Sequence, residues 1–111
     1  MNENIVNTAS PEAQALYSAL IKAIRTLGPF EEELKKTSVH LVRGSAFAGV
    51  QLRKAHLLIT IKSDAPIQSE RVVKLEQVSR NRWHCEVKLF SDSDIDSQLM
   101  QWLKAAYDLC A

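Results

Sequence analysis

RWHCEVKLFSDSDIDSQLMQWLKAAYDLCA, residues 82–111, changes its period halfway along. Trp83, Cys85, Val87 and Leu89 fall on one side of an extended chain, and His84, Glu86 and Lys88 on the other. After an acidic break, Ile95, Leu99, Trp102, Leu103, Ala106, Tyr107 and Cys110 mark a single stripe at helical spacing. A period of two followed by a period near 3.6 predicts a half-exposed strand whose apolar side is covered by a helix.

The same grammar holds upstream. Ser10-Pro11-Glu12 reads as a helix start: a hydroxyl to cap free amides, proline at the first helical position, and a carboxylate at the positive end of the dipole. Ala13, Leu16, Leu20, Ala23, Ile24 and Leu27 continue the stripe, and Gly28-Pro29 ends it. The acidic stretch Glu31 to Lys36 reads as a solvated connector. Strands are expected over 37–43, 46–52, 56–62, 71–78 and 83–90. In these, Val39 and Leu41, then Ala48, Val50 and Leu52, then Leu57, Ile59 and Ile61 share the apolar side, while Phe47, Gly49 and Gln51 take the other. Residues 63–70 form a loop, and Ser93 with Asp96 resembles a capping box for the last helix.

Short connections favour antiparallel neighbours. The expected architecture is therefore α+β: a two-layer sandwich with N- and C-terminal helices on one face of a five-stranded antiparallel meander sheet, in the order α-β-β-β-β-β-α. Residues 1–9 read as a flexible arm and 10–111 as one domain, a length sufficient for one core.

Lys and Arg number 14 against 13 Asp and Glu, a balance that argues against a nucleic-acid-backbone binder, which needs a cationic donor for each phosphate. Met1 to Ser10 lacks the basic and apolar zones of a secretory signal, and no apolar run approaches bilayer thickness. A cytoplasmic protein without membrane association is expected. Cys85 and Cys110 both occupy apolar positions and read as reduced core residues, although a terminal helix lying over that strand would also permit a bridge.

Familiar chemistry finds little purchase. Asp92-x-Asp94-x-Asp96 opens like a calcium loop, but the positions that require glycine and glutamate hold Ser97 and Leu103, so helix capping explains it better. His40, His56 and His84 lie at non-core strand positions. Were the strands of His40 and His84 adjacent, the two rings with Glu86 could form a metal site or a proton-transfer pair, yet no HxH or HxxxH spacing demands it. A cationic set that includes Arg43, Lys62, Lys74 and Lys88 lacks the interleaved aromatics of a single-strand binder. No nucleophile elbow or phosphate-cradling glycine loop is present in the sequence.

Pro11-Glu12, Leu16-Tyr17, Leu20, Lys36-Thr37, Phe47-Ala48-Gly49-Val50, Trp83-His84, Asp94-Ile95-Asp96, Trp102-Leu103 and Ala106-Tyr107 together form a pattern. In it the chain resembles the small bacterial domain-of-unknown-function family numbered 5655, sometimes labelled a predicted transport protein. That resemblance implies the fold and no established activity. The layout is also similar to frataxin-like iron chaperones, which would imply iron handling by exposed carboxylates such as Glu31 to Glu33 and Asp92, Asp94 and Asp96.

These readings converge on a non-enzymatic ligand- or protein-binding module without a cofactor. Its expected site lies on the open sheet face or in the groove beside Lys36-Thr37. Lys36 and Arg43 would hold an anionic group, Phe47 would give apolar contact, and His84, beside Trp83, a polar contact. The alternatives are a metal-handling protein using His40, His84 and Glu86 or the acidic cap of the last helix, and a small hydrolase or transferase with His84 as base, which needs a deep pocket. An open sheet also leaves edges through which two copies could pair.

Overall fold

The computed structural model describes residues 4–111. Of the expected N-terminal arm, residues 1–3 lie outside the described residues; Ile5–Thr8 forms a short helix, α1, with Ile5, Val6 and Ala9 against the core. The main helix, α2, spans Pro11–Arg25, and the Ser10 hydroxyl caps it by accepting from the Ala13 N–H at 3.2 Å. Gly28, at φ +138°, turns the chain out of the helix where an added Cβ would lie 2.5 Å from the Tyr107 hydroxyl, so both conformation and space demand glycine.

Six strands follow: β1 Glu31–Leu34, β2 Val39–Val42, β3 Ala46–Leu52, β4 Leu57–Ser63, β5 Val72–Ser79 and β6 Arg82–Leu89. They form one sheet in the order β1-β2-β3-β4-β6-β5, with every neighbouring pair antiparallel. The expected connector is thus a sixth strand. Its acidic sequence is a poor strand former, but Lys36 and Thr37 are the tip of a hairpin that lays Glu31–Leu34 along β2. Glu32 is held there from both sides, accepting from the Tyr17 hydroxyl at 2.6 Å and from Arg25 at 2.9 Å.

The sheet is also not a simple meander. β4 pairs with β6, and β5 lies outside β6 at the edge, so β4 and β5 run parallel with β6 between them. A parallel pair requires the chain to travel back along the sheet, and residues 64–71 make that return across β6, the Ile67 backbone lying against the Cys85 thiol. Arg71 fastens the end of this strap by donating to Asp96 Oδ1 at 2.8 Å and to the Asp94 carbonyl at 2.7 Å.

The last helix, α3, spans Ser97–Leu109 and is capped by Asp96, whose carboxylate accepts from the Leu99 N–H at 3.0 Å. The expected Ser93 cap is displaced by a single 3₁₀ turn over Asp92–Asp94, where Asp94 Oδ2 accepts from the Phe90 N–H at 2.7 Å and the Ser91 N–H at 3.3 Å. At the other end of α3, the Tyr107 carbonyl accepts from the Cys110 N–H at 3.3 Å and from Arg43 at 3.0 Å, and Gly44 N–H donates to the Cys110 carbonyl at 2.7 Å, so the terminal carbonyls find partners.

The core forms between α2, α3 and one sheet face. Leu16, Tyr17, Leu20 and Ile24 meet Leu99, Leu103, Ala106 and Tyr107 over Val39, Leu41, Val50, Ile59, Ile61, Val87 and Leu89, all buried. The expected side assignment holds for these strand residues and fails for Phe47. Val42 pairs with Ala46 and Leu41 with Ala48, so Phe47 is the extra residue of a β-bulge. It leaves the open face and is fully buried, edge-on to Phe30 at 5.7 Å and to Tyr107 at 5.3 Å. Cys85 and Cys110 are both buried and free. Among the described residues no helix is long and apolar enough to cross a membrane.

Candidate functional site

The sheet face away from the helices carries rows of paired side chains. One row runs Glu33, His40, Gly49, Thr60, Glu86, Lys74 across the six strands; the next includes Lys62, His84 and Glu76. Gly49 has no side chain to fill its place between His40 and Thr60. The result is a depression of about 280 Å³ over β3, walled by His40, Gln51, Thr60, Lys62 and His84. Glycine inside a strand weakens it and often marks the approach of another group; here an added Cβ would find only the Val39 carbonyl, at 3.8 Å, so packing does not demand glycine.

The lining of the depression is one-sided in charge. It holds a lysine, two histidines, a serine and a threonine hydroxyl and a glutamine amide, and no carboxylate. Lys62 and His84 are direct cross-strand neighbours and concentrate donors at one end. The acids of this face stand one strand beyond the lining: Glu33 across from His40, Glu76 across from His84, and Glu86 across from Thr60, where it faces Lys74 at 4.0 Å.

A second hollow, about 530 Å³, lies beside the start of α2 and includes Glu12, His56, Phe90 and Asp92. His56 packs at a tilt against Phe90, ring centres 5.1 Å apart, and burial together with Lys88 and Arg53 pulls its pKa down. Its carboxylates lie beside helix starts, whose positive ends they complement. The depression over β3 is the better candidate.

The residues expected to form one site are dispersed. Lys36 and Thr37 stand exposed at the β1–β2 hairpin tip. Arg43 is committed to α3, stacked over the Tyr107 ring at 4.0 Å and 3.7 Å from Asp108. Phe47 is in the core, beneath the depression. Trp83 is half-buried on the helix side, level with Cys85. Of the expected residues, His84 stands at the rim of the depression and Phe47 borders it from beneath, with Lys62, Thr60, Gly49, Gln51 and His40 around them. In the sequence His40 stood out as a possible metal ligand and Lys62 as one of a cationic set, while Thr60, Gly49 and Gln51 carried no signal; that they share one hollow depends on the strand order.

The same topology removes the metal geometry. β3 and β4 separate β2 from β6, which puts His40 and His84 roughly 14 Å apart at ordinary strand spacing. Among the described residues no group of three or more His, Cys, Asp or Glu could hold a metal ion. The acids that suggested iron handling are on separate elements, and Glu32, Asp94 and Asp96 are occupied as hydrogen-bond acceptors. The cysteines lie outside the depression, and burial pushes the Cys85 thiol up, away from a reactive thiolate.

A family model described as "Domain of unknown function (DUF5655)" matches residues 2–110. The chain belongs to this family. No curated protein and no solved structure matches it significantly.

Proposed function

We propose that this member of the family is a binding module that receives a small anionic molecule in the depression over β3. The observation that carries the reading is a lining of six donor side chains without a carboxylate, arranged around the unfilled place of Gly49. A carboxylate or phosphate group would sit at the Lys62–His84 end, with the Thr60 hydroxyl beside it, and the rest of the molecule would lie over Gly49 toward His40. Recognition of this kind needs no acid–base pair, and the two histidines are too far apart to act as one.

Nitrogen–proton correlation spectra recorded during titration with inorganic phosphate and with succinate test the proposal. Saturable shifts are expected at the amides of His40, Gly49, Thr60, Lys62 and His84 with at least one probe. Lys62→Met should weaken binding about tenfold, the value of one charge-assisted contact. Gly49→Val should fill the floor and abolish binding while the fold persists, since the nearest neighbour of its Cβ is 3.8 Å away. Absence of saturable shifts, or unchanged affinity in both variants, overturns the proposal.

A further inference from the structure

The two edges of the sheet are built differently. β1 presents Glu31, Glu32 and Glu33, so a second β1 laid antiparallel beside it would oppose like charges. β5 is twice as long and lies beyond the cover of the helices. It carries three of the five exposed large apolar side chains among the described residues: Val73 at 53% exposure, Leu75 at 44% and Val78 at 46%. Natural edge strands are commonly protected by charge, bulges or cover, because free N–H and C=O groups template further pairing. β5 has a bulge near each end, but between them Lys74 to Gln77 runs in regular register against β6.

That regular stretch is complementary to itself. In an antiparallel pair of β5 strands centred on Leu75, Lys74 of each copy faces Glu76 of the other, and the two Leu75 side chains meet. Lys74 and Glu76 share the open face, being paired with Glu86 and His84, whereas Leu75 pairs with Cys85 on the opposite face. Both charge pairs therefore form on one side and the apolar contact on the other. A two-fold axis satisfies both copies at once, as a closed symmetric dimer requires.

We infer that this chain self-associates through β5, two copies joining their sheets edge to edge in the register that opposes Lys74 to Glu76. The two sheets become one of twelve strands, with both depressions on the same side. A single pair of edge strands is a small interface, so the dimer is weak and reversible.

Sedimentation velocity on the full chain from about 10 µM to about 1 mM, the range of weak interfaces, tests the inference. A concentration-dependent monomer–dimer equilibrium is expected, with the shifted amides mapping to Val72–Ser79. Glu76→Lys, which sets lysine against lysine twice, should weaken association about tenfold or more. Lys74→Glu should do the same, and the double variant Lys74→Glu/Glu76→Lys should return the affinity to within about threefold of the original. Circular dichroism of each variant separates lost pairing from lost folding. A strict monomer throughout, open-ended polymers, shifts at β1, or a double variant no better than the singles overturns it; in the first case the edge is left for an extended segment of another protein.

Discussion

Phe47 shows how one inserted residue redirects a site. By strict alternation it belongs beside Gly49 and Gln51 on the open face, but the bulge opposite Val42 and Leu41 turns its ring into the core between Phe30 and Tyr107. Its contribution is then structural. Phe47→Ala should cost about 3–5 kcal/mol, read as a lower urea midpoint at unchanged slope, the ordinary price of an emptied aromatic core site. Had the ring lined a binding surface, the same change would leave stability nearly untouched. Arg43 follows the same logic: a cation that looks free in the sequence is consumed by the carbonyl end of α3.

Among the elements, β1 is the one whose existence depends most on its neighbours. Three consecutive glutamates have little intrinsic reason to extend, and Glu32 is fixed by Tyr17 and Arg25 of α2. Burial, the hydrogen bond to Glu32 and the Glu32 charge raise the Tyr17 phenol far above its usual range. A folded pKa above the unfolded one means stability is intact below about pH 10, where both states hold the proton, and falls as the unfolded state ionises first. Tyr17→Phe should therefore flatten the loss of stability above about pH 10, measured by urea denaturation across the alkaline range. If the alkaline limbs of the two proteins are superimposable, Tyr17 is not held this way.

Across the fold as a unit, cover is uneven. α2 and α3 shield the central strands, while the far end of the sheet relies on the strap at 64–71 and its anchor, Arg71. Asp96 serves both devices, since the Leu99 N–H it caps, and then Arg71, hold its carboxyl below the usual range. Removing the anchor should open one region rather than the core. Arg71→Ala is expected to speed amide hydrogen exchange in β5 and at the start of α3 by about tenfold, leaving β3 and β4 unchanged. Uniform acceleration in all strands would show that the strap supports the entire fold. The exposed β5 edge and the donor-lined hollow both belong to the helix-free parts of this layout, where side chains are released from core packing.

The alternation in 83–90, the helical stripes in 11–27 and 95–110, and the apolar sides of 39–41, 48–52 and 57–61 were legible along the chain, because each reflects a periodicity of the backbone itself. They established the two-layer arrangement and which flank stays bare. They carried no information on which strands would lie side by side. The β4–β6 pairing and the strap that allows it arise between segments apart in sequence, and the β1 hairpin and the bulge at Phe47 from the choice of register between neighbours, where many hydrogen-bonded arrangements satisfy the same local pattern. For that reason Lys62 and His84 became neighbours, Phe47 sank beneath them, and Lys36 and Arg43 went elsewhere, only once the chain closed on itself.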